Sequence, residues 1–186
     1  MIIEKVVIKL KTKQIVYSGL LIACSILLPQ LFHLVGGPGI GTTLLPMHIP
    51  VLIAGFILGP ITGLIIGILS PICSFLYTGG IMPAIPMLYL MIVELGTYGL
   101  FTGLIFKKFK FNIYVSLIVS MIAGRITRGL VFVVATKFLG IFLPPAMGIS
   151  IAITQGIPGI ILQMLIIPPI LYLLCKLPYT KNLMTQ

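Results

Sequence analysis

From Met47 to Pro71 the chain reads MHIPVLIAGFILGPITGLIIGILSP, a run without one charged residue in which glycines recur every fourth position, at 55, 59, 63 and 67. Four-residue spacing places the glycines on one face of a helix, where a second helix can approach to backbone distance. Pro60 follows Gly59 directly, and this pair is the strongest break inside the run. The stretch is therefore either one kinked helix or two short helices joined by a tight turn. That choice fixes the direction of every element after it.

The flanking sequence shows what kind of protein this is. Apolar runs of bilayer-spanning length occupy about 14–35, 83–106, 112–138 and 149–175. Residues of hydrophobic type make up 59% of the chain and charged residues only 8%, the balance of a polytopic membrane protein. The 186 residues hold about six such helices and leave little for a soluble domain, so one integral membrane domain, 1–186, is expected. Gly36–Pro46 (GGPGIGTTLLP), Thr78–Met82 and Gly140–Gly148 (GIFLPPAMG) carry the glycine and proline of loops and read as outer turns. The last apolar run is interrupted at Gly156, Pro158 and Gly159 and again at Pro168-Pro169, and reads as a broken helix.

Charge decides between one helix and two. Splitting the central run at Gly59-Pro60 gives helices at about 47–58 and 60–77, six transmembrane helices in all, with both termini cytoplasmic. Lys5, Lys9, Lys11 and Lys13 then form a basic flank at 1–13 on the same side as Lys107, Lys108, Lys110, Lys176 and Lys181, leaving Lys137 alone on the outer side. This obeys the positive-inside rule; an unsplit run would place Lys107, Lys108 and Lys110 outside. The net charge of +10 is thus a topology signal, and no nucleic-acid partner is expected.

Three ionisable residues lie deep in the apolar runs: Glu94 in MIVELGTYGLFTG, and Arg125 and Arg128 in AGRITRGL. Charges in hydrocarbon cost several kcal/mol unless paired or hydrated, so each is a candidate for function. Glu94 and Arg125 fall near the membrane midplane, at pairing depth. The two arginines, three apart, share a helix face. One carboxylate for two guanidiniums leaves a positive charge that an anionic ligand would satisfy. A purely structural ion pair with its spare donors on backbone carbonyls is the alternative. Gln155 precedes the Gly156–Gly159 break, where exposed backbone groups call for a cavity or ligand. His48, at an outer helix start, and Tyr89 complete the candidate substrate-binding set. Tyr98 and Gln163 are weaker candidates.

The chemistry that is missing narrows the function. There is no glycine-rich phosphate loop with its lysine, so the chain does not use ATP by itself. With two acids and two histidines in all, no catalytic constellation is visible and an enzyme is not expected. Cys24, Cys73 and Cys175 lie in separate runs without metal-ligand spacing and read as buried free thiols; no metal site and no cofactor is expected.

LLPMHIPVLIAGFILGPITGLIIGILSP, with MIVELGTYGLFTGLIF, AGRITRGL and QGIPGIILQMLIIPPIL, resembles the substrate-binding S components of energy-coupling factor (ECF) transporters, over nearly the whole chain. The resemblance is nearest to the pantothenate-type vitamin branch. It implies a multi-pass protein of the cell membrane that captures a water-soluble vitamin at its outer face. It also implies partnership with a transmembrane coupling protein and two cytoplasmic ATPases, which use the ATP. The Ala-x-x-x-Ala docking face of the family's first helix corresponds to Gly19-x-x-x-Ala23 here, a departure that keeps the surface small. The surplus positive charge adds the expectation of a carboxylate ligand such as pantothenate. Niacin, pyridoxine or a pyrimidine precursor remain alternatives, as does a solitary secondary carrier with Glu94 as proton relay.

Overall fold

The computed structural model describes residues 12–138, 140, 143–144 and 149–176, with the side chains of 12–13, 36–42, 149–153 and 155 outside the description. The flank up to residue 11, most of the expected loop 140–148 and Lys181 therefore lie outside the described residues. All regular structure among the described residues is helical: α1 (Thr12–Leu44), α2 (His48–Leu58), α3 (Pro60–Tyr77), α4 (Met87–Gly103), α5 (Ile113–Lys137) and α6 (Ile149–Lys176). A π-helical turn, Leu104–Lys108, continues α4. Five helices are long and apolar enough to cross a membrane, and α2 is not. Its 11 residues make about 16 Å, half the hydrocarbon thickness.

Two expectations from the sequence are corrected. Gly36–Pro46 is not a loop, because α1 continues through it to Leu44. The last apolar run is one helix with Pro158, Pro168 and Pro169 inside it. In α6 the prolines lie in a crossing-length segment, where the backbone has no water to turn to and keeps the helical hydrogen bonds that remain; in α1, beyond the segment that ends at Val35, the helix continues where its end packs on Gly159 of α6. The start of α4 also shifts, from the expected Pro83 to Met87. Pro83 and Pro86 fill this lead-in, and proline pushes the residue before it out of the helical region.

α1 cannot be straight. Its 33 residues measure about 50 Å and α2 brings the chain back only about 16 Å, yet Gln14 and Gly59 line one cavity. The helix must bend or lie over the bundle, and Pro29 and Pro38 remove hydrogen bonds that would resist this. The turn into α2 is tight. Leu45 takes a left-handed φ of 51°, and its carbonyl accepts the His48 amide at 3.0 Å.

The core is built around α2 and α4. Every residue of α2 is buried. The glycine ladder lies against a second ladder on α4, at Gly96, Gly99 and Gly103. A Cβ on Gly63 would stand 2.5 Å from the Gly99 carbonyl oxygen, and one on Gly55 would stand 2.6 Å from the same atom. These are backbone contacts, so no side chain can rotate away to make room. Gly59, at φ 94°, makes the reversal between α2 and α3. The seam fixes α4 at close range and with a defined rotation, which determines where Glu94 and Tyr98 point. Polar residues inside the helices are satisfied locally: Thr97, Thr102, Ser116, Ser120 and Thr127 each donate to the carbonyl four residues back.

Candidate functional site

Glu94 lies on α4 on the side of α5, with no exposed surface. Both arginines of α5 reach it: Arg125 Nη1 stands 2.9 Å from Oε1, and Arg128 Nη1 stands 2.9 Å from Oε2. Three residues of spacing on α5 put the two guanidiniums one above the other, so each takes its own carboxylate oxygen. Tyr98, one helical turn below Glu94, donates its hydroxyl to Oε1 at 3.0 Å. Its ring occupies the space that a side chain at Gly124 would need, so glycine there lets α5 close over the tyrosine. His48 completes the group, with Nε2 at 4.0 Å from Oε1, too far for a direct hydrogen bond, and its ring tilted 58° against Tyr98 at 5.2 Å.

The carboxylate therefore accepts three donors, while the guanidiniums retain donors that it cannot reach. Arg125 Nε and Nη2 and Arg128 Nε are buried without a hydrogen-bond partner. Arg128 Nη2 meets only the Met87 sulfur, at 3.7 Å, a weak acceptor. One carboxylate against two guanidiniums leaves the cluster one positive charge in excess. Arg125 Nη2 faces α6 at Gly156, where a Cβ would stand 2.5 Å away. Gly159 lies equally close to the end of α1, with its Cβ position 2.7 Å from the Thr43 carbonyl oxygen. The glycines of the expected break in α6 thus seat that helix against Arg125 and against α1.

A family model described as ECF transporter, substrate-specific component, matches residues 13–171. The chain belongs to this family. No curated protein and no solved structure matches it. As an S component it is a multi-pass protein of the cell membrane and the substrate-specific subunit of a transporter. Its family partners are the ECF module and a small-molecule substrate.

The other residues singled out from this S component's sequence fall in different places. Tyr89 is 58% exposed and away from the cluster. Five residues before Glu94, it is turned about 140° around α4 at 3.6 residues per turn. Gln155 lies on α6, its side chain outside the described residues. Gln163 is buried, with its Nε2 unpartnered. Gly19 and Ala23 are exposed on α1, with nothing within 4 Å of a Cβ at Gly19. Tyr98, a weaker candidate by sequence, is bonded directly to Glu94, and its four-residue spacing from the carboxylate is the signal for it. Met87 and Gly124 had no such signal, because their roles depend on how α5 is rotated against α4.

Proposed function

We propose that this S component binds a carboxylate-bearing vitamin, with pantothenate the best fit, for ATP-driven uptake by a coupling protein and two ATPases. The observation that carries this reading is the buried surplus of one positive charge with unpartnered guanidinium donors. A carboxylate supplies both the compensating charge and the acceptors, and arginine presents a fork that suits it. Arg125 and Arg128 would hold the ligand's carboxylate, with Glu94 and Tyr98 fixing their orientation and His48 at the rim. Gln155 is proposed as a further ligand contact from α6. Gly19 and Ala23 offer the coupling protein a small, exposed surface.

The proposed orientation puts both termini in the cytoplasm. Its support is that the start of α1, the α2–α3 turn and the end of α4 share one end of the bundle with Lys107, Lys108 and Lys110. A proton-relay role for Glu94 has less support, since each of its carboxylate oxygens is already engaged by a guanidinium and neither faces a solvent path.

The test pairs each acid with its neutral analogue in thermal unfolding of the purified protein: pantothenate with panthenol, and nicotinate with nicotinamide. The acid is expected to raise Tm and the analogue to leave it unchanged. Equal stabilisation by the neutral member of the pair would remove the anion reading.

A further inference from the structure

A second positively charged site lies at the far end of the bundle and shares no residue with the vitamin site. The start of α1, the α2–α3 turn and the end of α4 border an open cavity of about 290 Å³, lined by Gln14, Leu58, Gly59, Pro60, Lys107 and Lys108. At about 30 Å³ per water it has room for a tetrahedral oxyanion and its hydration. We propose that this cavity binds a phosphate group, presented by the headgroup of an anionic lipid.

The lining carries two ammonium groups and one amide, and no carboxylate. The C-terminal end of α2 and the N-terminal end of α3 meet here with dipoles of opposite sign, so their fields largely cancel and the lysines set the potential. Lys107 lies across the turn: a Cβ at Gly59 would be 3.5 Å from its Cδ and 3.9 Å from its Nζ. A side chain at 59 would therefore occupy the approach to the ammonium, and the positive φ of the reversal disfavours one there in any case.

Depth identifies the source of the phosphate. One crossing-length segment ends at Lys108 and the next begins at Ile113. Between and just beyond them Phe109, Phe111 and Tyr114 are exposed. Aromatic residues on the outer surface at segment ends mark the membrane–water interface, and basic pockets between helices at that level suit anionic headgroups. Every phospholipid presents its phosphate there. The lysines add a preference for lipids with net negative charge, worth about fivefold for each lysine.

The experiment is lipid retention by the purified protein, read by native mass spectrometry after exchange into mixed micelles of phosphatidylglycerol or phosphatidylcholine. The protein is expected to retain phosphatidylglycerol roughly 25-fold more strongly, about fivefold for each of the two lysines. Lys107→Gln with Lys108→Gln should abolish most of that preference, whereas Lys110→Gln, outside the lining, should preserve it. Lys108→Gln alone changes an exposed side chain and should weaken retention about fivefold, so the site remains testable if the double variant does not fold. Equal retention of the two lipids, or an equal loss in Lys110→Gln, would overturn the proposal. Displacement of phosphatidylglycerol by millimolar inorganic phosphate with an equal rise in Tm would overturn the lipid as the source. Failure of vitamin binding leaves this readout untouched.

Discussion

α4 has two working faces. Toward α3 it offers glycine backbone at 96, 99 and 103; toward α5 it offers Glu94 and Tyr98. The glycine face is held by shape, in contacts with no charge and no side-chain freedom. The carboxylate face is held by three donors on one buried group, and a small rotation of α5 would unpair the two that come from Arg125 and Arg128. The first face makes the second possible, because only a helix fixed to within fractions of an ångström keeps a buried ion cluster in register. The seam is scaffold, and the cluster has spare valence for something else.

Breaking the cluster should produce the largest effect. Glu94→Gln removes the only carboxylate among the described residues and leaves two buried guanidiniums facing a neutral amide, a loss of about 3–5 kcal/mol. Thermal unfolding in detergent should show Tm lower by roughly 10 °C. A drop of less than about 2 °C would mean that solvent already reaches the arginines. Breaking the seam should cost less. Gly99→Ala drives a methyl group into the Gly63 backbone, an overpacking cost of about 1–3 kcal/mol in the same assay. A neutral result would show that α3 and α4 can separate without harm, and that the rotation of α4 is set elsewhere. The smallest effect is expected on α1. Gly19→Leu places its Cβ in open space and should raise stability by at most about 1 kcal/mol through helix propensity, while its bulk lowers co-purification with the coupling protein if the small face docks there.

This contrast also explains what could be read from the sequence. The glycine seam was legible as spacing, because a four-residue repeat is a property of one helix. The lone carboxylate and two arginines were legible as a charge imbalance, because hydrocarbon forbids isolated charge. Their geometry was not. Glu94–Arg125 was the expected pair, and the second bond, from Arg128, depends on how α5 is rotated against α4. Tyr89 was chosen over Tyr98 for the same reason, since both are tyrosines near a carboxylate and only the helix turn separates them. The helical course of α1 through Gly36–Leu44 is not legible in its loop-like composition, because the packing of its end on Gly159 of α6 exists only in the fold.

The brevity of α2 has a consequence for how the protein enters the membrane. A segment of about 16 Å cannot lodge across the hydrocarbon by itself, and in the finished fold every one of its residues is covered by protein. During synthesis it has neither enough length to stop in the bilayer nor its final neighbours to cover it. The natural unit of insertion is therefore the α2–α3 hairpin, turned at Gly59-Pro60 and carried in by the longer α3. Burial of α2 then waits for α4, whose arrival closes the floor on which α5 later completes the charged cluster.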